Sequence, residues 1–124
     1  MQKLGHISLI AKDIEKLKKF YQELFGFVLE FETEDKLYVQ YSVNDTDNKF
    51  DLEHISLLQT DLPNSAYQGF LLRFETDDLD KIAKQCFKYG GRIIREPIKQ
   101  DYGSIEMYLE DPEGNLIQIY QLLN

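Results

Sequence analysis

The chain has no tryptophan, one cysteine, two histidines and three prolines among its 124 residues. A lone cysteine, Cys86, cannot close an internal disulfide, which excludes a disulfide-stapled scaffold and makes a reducing cytoplasm the expected location. No run approaches the roughly 18 apolar residues that a membrane-spanning helix needs. The start, MQKLGHISLI, lacks a basic segment followed by a long apolar one, so no secretory leader is expected. Cations are in the minority: 14 Lys and Arg against 22 Asp and Glu give a net charge of −8. Nucleic acid and anionic membranes are therefore not expected as partners, since both demand clustered Lys and Arg. Phosphate-cradling glycine loops, nucleophile elbows, CxxC pairs and HExxH are all missing from the sequence.

An apolar fraction of 43% and 16 Phe and Tyr residues supply an ordinary globular core. Residues 4–11 alternate as a strand, Asp13 caps a helix whose apolar residues Ile14, Leu17, Tyr21 and Leu24 fall at helical spacing, and Gly26 stops it. FVLEFE, LYVQYSV and KFDLEHISLL follow as strands. After the polar stretch QTDLPNSAYQG the order recurs: FLLRFE, the cap Asp78, LDKIAKQCFKY, the stop Gly90-Gly91, then RIIRE, SIEMYLE and NLIQIYQLL, the last two joined by the turn DPEGN. An offset of 65 lays residues 12–31 over 77–96 without a gap, matching Asp13 to Asp78, Lys16 to Lys81, Lys19 to Lys84 and Gly26 to Gly91. The chain thus reads as α+β, two tandem βαβββ units (1–59 and 70–124) around a linker at 60–69. Each sheet would give one face to its helix and the other to a half-barrel cleft.

Strand alternation nominates the cleft residues. With Ile7 and Leu9 on the helix, His6 and Ser8 face the cleft; with Leu72 and Phe74 on the helix, Leu71, Arg73 and Glu75 do. By the same parity Gln118 and Tyr120 join them, with Glu106 and Tyr108 as neighbours. In DLEHISLL, a wet cleft suits Glu53 better than a core, which leaves His54 sharing the helix-side face of Leu52 as a structural residue. His6 and Glu53 on neighbouring strands make half a divalent-metal site for Zn, Ni, Mn or Fe, and Glu53 is also the candidate general base. The offset carries His6 onto Leu71, which cannot ligate, and Glu53 onto Gln118, which offers one neutral amide oxygen. Arg73 suits a carboxylate or phosphate, the alternative being an internal pair with Glu106 or Glu53. Tyr38, Tyr41 and Tyr108 are candidates for an aromatic wall, or are ordinary core and edge residues.

The doubled βαβββ order, FYQELFGF at the end of the first helix and DPEGNLIQIYQ before the last strand resemble the vicinal oxygen chelate superfamily: glyoxalase I, bleomycin-resistance proteins and extradiol dioxygenases. The resemblance covers essentially the whole chain. It implies metal ligands on the first and last strand of each unit, at places matched here by His6, Glu53, Leu71 and Gln118. At Leu71 a histidine or other ligand is typical, and at Gln118 a glutamate. The expected protein is therefore a small-molecule binder, of the drug-sequestering kind, without a complete catalytic metal. The alternative is a metal-dependent lyase, isomerase or dioxygenase built on His6, Glu53 and Gln118. The resemblance also implies a homodimer.

Overall fold

The computed structural model describes residues 7–43, 54–61 and 71–123. The chain divides into two compact units, Met1–Asn64 and Ser65–Asn124. In the first, strand β1 (Ile7–Ala11) leads into helix α1 (Ile14–Lys19), which runs on as a π-helical turn (Phe20–Leu24) before β2 (Val28–Glu32), β3 (Tyr38–Ser42) and β4 (His54–Gln59). In the second, β5 (Leu72–Glu75) leads into α2 (Leu79–Gln85), a 3₁₀ turn (Phe87–Tyr89), β6 (Arg92–Lys99), β7 (Ser104–Glu110) and β8 (Leu116–Leu122). Sheet orders are β1-β4-β3-β2 and β5-β8-β7-β6, with first and last strands parallel and the other pairs antiparallel. The fold class is α+β in two tandem βαβββ units.

Local chemistry explains why the elements start and stop where they do. Asp13 and Asp78 each accept the backbone N–H three residues on, at 3.4 and 3.1 Å, satisfying one orphan donor of each helix. Buried Ile14, Leu17, Phe20, Tyr21 and Leu24 form the stripe that packs α1 and its π turn on Leu9, Val39, Tyr41, Ile55 and Leu57. The second unit repeats this with Leu79, Ile82 and Cys86 over Leu72, Met107, Leu109, Ile117 and Ile119. Burial pushes the Cys86 thiol up to about 11, so it serves as a small core residue rather than a reactive thiolate.

The repeat is real, but its register changes along the chain. The left-handed helix stops are Gly26 (φ 71°) and Gly90 (φ 90°), 64 residues apart, so Gly26 corresponds to Gly90 and not to Gly91. From cap to glycine stop the first unit, with its π turn, holds one residue more (Asp13 to Gly26 against Asp78 to Gly90), and the gapless match slips there. In the last strands the side chain of Gln59 accepts the N–H of Ile14 at 3.0 Å, and that of Gln121 accepts the N–H of Leu79 at 2.9 Å. These two glutamines do the same work 62 residues apart. Ladder partners agree: Ser8 pairs with Ser56 where Arg73 pairs with Gln118. Gln118 therefore corresponds to Ser56, and its match to Glu53 by a constant offset of 65 is corrected.

Candidate functional site

The helix-distal face of the second sheet gathers polar side chains. In β8 the alternation of buried Ile117 and Ile119 against the helix leaves Leu116, Gln118 and Tyr120 on the other side. Cross-strand register then sets one row over all four strands: Arg73 beside Gln118, Gln118 beside Tyr108, and Tyr108 beside Arg95. Glu106 lies one step along, opposite Tyr120.

Gln118 is only 5% exposed and every polar atom of its amide is engaged. Its oxygen accepts from Arg73 Nε. Its nitrogen donates to Glu106 Oε1 at 2.8 Å and to the Tyr108 hydroxyl at 3.2 Å. Glu106, 8% exposed, also accepts at Oε2 from Ser104 (2.9 Å) and Tyr102 (2.8 Å). That hydrogen bond to Glu106 raises the Tyr102 phenol above its ordinary pKa, because losing the proton would set two negative oxygens against each other. The Arg73 guanidinium lies 5.0 Å over the Tyr120 ring and that of Arg95 lies 5.5 Å over Tyr108. Arg92 is ion-paired to Glu110 at the end of the face.

Among the described residues Arg73 is not paired with Glu106 and bonds instead to Gln118, while its alternative partner Glu53 lies outside the described residues. Arg73, Glu106, Tyr108 and Gln118 thus come together on one face. Tyr38 is in the other unit, half-buried, its hydroxyl 3.0 Å from Gln40 Oε1. Tyr41 is not a wall residue. It is fully buried on the helix side, donates to Gln22 Oε1 at 3.0 Å, and is held well above the usual phenol range by burial, then by Glu32 and Glu15. His54 also departs from expectation. Ile55 and Leu57 take the helix side of β4, so His54 shares the opposite face with Ser56 and places Nδ1 2.6 Å from Glu30 Oε1. His6 and Glu53 lie outside the described residues.

A metal ion fits the second unit poorly. Leu71 carries no donor, and the Gln118 oxygen is bonded to a guanidinium, which puts a positive charge at the ligand atom itself. Among the described residues no group of three or more His, Cys, Asp and Glu is placed to hold a metal. The Ser8 and Ser56 hydroxyls, which correspond to Arg73 and Gln118 in the first unit, bond to each other at 2.6 Å. What the second-unit face offers is recognition: fixed donors, two stacked cations and two aromatic rings.

Sequence reasoning missed Arg95, Tyr102, Ser104 and Glu30. Register breaks flank Arg95, between Ile93 and Arg95 and again between Arg95 and Ile98, so alternation along β6 says nothing reliable about its face. Tyr102 is in a turn, where no periodicity operates, and Glu30 sits in the bulge between Leu29 and Phe31.

Comparison with known proteins agrees with this architecture. The chain is 26% identical to the uncharacterized protein YraH of Bacillus subtilis (strain 168), over 98% of this chain and 99% of YraH. Its fold is similar to a glyoxalase/bleomycin resistance protein/dioxygenase family enzyme from Burkholderia phytofirmans PsJN (TM-score 0.75, 22% identity, 95% of this chain and 97% of that one). It is also similar to the fosfomycin resistance protein FosX of Listeria monocytogenes, solved as a variant with Mn(II) and 1S,2S-dihydroxypropylphosphonic acid (TM-score 0.71, 18% identity, 97% and 90% covered). No helix among the described residues is long and apolar enough to cross a membrane. The family model of the Glyoxalase/Bleomycin resistance protein/Dioxygenase superfamily matches residues 3–119, and the chain belongs to that superfamily.

Proposed function

We propose that this protein is a small-molecule-binding member of the superfamily that works without a complete catalytic metal site. The observation that carries this reading is the Arg73–Gln118 contact, which uses the amide oxygen a metal would need. Arg73, Glu106, Tyr108 and Gln118 are the ligand-contacting residues of the second unit, and Tyr38 is the ligand-contacting residue of the first. The work is done in the cytoplasm, in keeping with a single cysteine that is buried.

The alternative is a metal-dependent lyase, isomerase or dioxygenase that uses His6, Glu53 and Gln118, with Glu53 as general base. What favours it is the Mn(II) in the similar FosX structure. Anaerobic purification of untagged protein, followed by metal analysis with and without added Ni, Zn, Mn and Fe, decides between them. The binding-protein reading expects substoichiometric metal that His6→Ala leaves unchanged. Stoichiometric metal that disappears in His6→Ala would sink it.

Homodimerisation is part of the same reading. Edge strand β2 exposes Val28 (64%) and Phe31 (54%) beside Glu30 and Glu32, while edge strand β6 exposes Ile98 (57%) beside Lys99. The exposed apolar side chains and opposite charge of β2, with Glu30 and Glu32, and β6, with Arg92, Arg95 and Lys99, suit side-chain contact between β2 in one copy and β6 in another. Light scattering after size exclusion is expected to give a dimer, and Phe31→Lys a monomer. A wild-type monomer throughout the accessible concentration range removes dimerisation from the reading.

A further inference from the structure

We propose that Arg73, Tyr108 and Arg95 form an oxyanion receptor on the second sheet, so that the ligand carries a carboxylate, phosphonate or phosphate group. This rests on the binding-protein reading above and names the ligand class for that site.

Arg73 and Arg95 stand on the two edge strands of the sheet, at opposite ends of one row. Both side chains lean inward, Arg73 over Tyr120 of β8 and Arg95 over Tyr108 of β7. Those strands are neighbours and the two rings are diagonal on them, so their carriers are roughly 7–8 Å apart. Two guanidinium groups thus lie over rings on neighbouring strands of one face. A guanidinium stacked on a ring keeps its N–H donors in its own plane, free for an oxyanion. Arg73 uses only Nε, on Gln118, and among the described residues its terminal nitrogens have no acceptor. Arg95 makes no hydrogen bond or ion pair with any described residue.

The nearby acids do not answer these cations. Glu106 has Oε1 occupied by Gln118 and Oε2 by Tyr102 and Ser104, and Glu110 is taken by Arg92. Glu75, on the same face, forms no ion pair with a described residue.

A third donor follows from the orientation of the amide. Glu106 draws the Gln118 nitrogen toward itself, and that nitrogen also donates to the Tyr108 oxygen. Tyr108 is therefore an acceptor toward Gln118, and its own O–H proton has no acceptor among the described residues. In the row it sits between Gln118 and Arg95. Three unspent donors, two of them charged, meet on one face of a chain whose net charge is −8. Local donors rather than the global field would select the anion, so binding should be short-ranged and geometric.

Calorimetric titration of the full chain with benzoate, phenylphosphonate, neutral benzamide and cationic benzamidine tests this. One or both oxyanions are expected to bind, and which one distinguishes a carboxylate from a phosphonate or phosphate ligand; benzamide and benzamidine are not expected to bind. Arg95→Ala is expected to weaken binding about tenfold or more, Arg95→Lys less, and Tyr108→Phe about threefold to tenfold. Arg95→Ala is the clean variant, because the Arg95 side chain makes no hydrogen bond with a described residue; an unchanged melting temperature checks that. Affinity unaffected by Arg95→Ala, or no oxyanion binding at all, overturns the receptor. Tight binding of benzamide or benzamidine at the same face would overturn the receptor but leave the binding-protein reading standing. That reading falls separately, by the metal analysis.

Discussion

Replacing Tyr41 with alanine is expected to cost about 3–5 kcal/mol and to lower the melting temperature by about 10–20 °C. Tyr41 is among the largest fully buried side chains and packs against Phe27, with ring centroids 5.8 Å apart. Removing it leaves a ring-sized cavity under α1 that neighbours held by aromatic contacts cannot readily fill. Phe20, Tyr21, Phe25 and Phe27 contact one another with centroids 5.0–6.0 Å apart. Tyr41→Phe keeps that packing and loses only the bond to Gln22, about 1 kcal/mol. Chemical denaturation of both variants separates the two contributions. If Tyr41→Ala kept wild-type stability yet lost ligand binding, Tyr41 would be a wall residue after all.

The second large effect concerns Gln118→Glu, which restores the residue typical of metal-dependent relatives. A carboxylate oxygen would then stand in place of the amide nitrogen, 2.8 Å from Glu106 Oε1. Arg73 can neutralise one of the two charges and not both, so a loss of about 2–4 kcal/mol is expected at pH 8. The direction with pH follows from the pair. Two facing carboxyls share a raised pKa in the folded variant relative to the unfolded value near 4.3. Protons therefore favour the folded variant. Its deficit against wild type is smallest below about pH 4 and grows as pH rises through the raised value. Thermal unfolding of both proteins at about pH 5 and pH 8 reads this out. Equal stability at pH 8 would mean that the amide–carboxylate contact is not part of the fold.

Much of the architecture was legible because it is periodic. Asp13 and Asp78 cap where expected, and SIEMYLE is strand β7 from end to end. Three of the second-unit site residues, Arg73, Tyr108 and Gln118, fall on one face because β5, β7 and β8 keep uninterrupted pleats there. Legibility failed where a residue is gained or lost. The bulge hid Glu30, the two breaks in β6 hid Arg95, and a choice of parity one residue off in β4 put His54 on the helix side. A slip of one residue exchanges the two faces of a strand, so small irregularities cost whole side-chain assignments. The constant offset failed for the same reason: it was right at the caps and three residues off at Gln118, which made Glu53 look like the partner of a residue that actually corresponds to Ser56.

The π turn at Phe20–Leu24 takes up a difference in length between the two units. An extra residue in a helix normally rotates everything after it by about 100° and strips the apolar stripe from the core. Here the widened turn absorbs it, and the strand that follows still enters its sheet beyond a left-handed glycine. The two units thus differ in length by one residue while each keeps its apolar stripe on its own sheet.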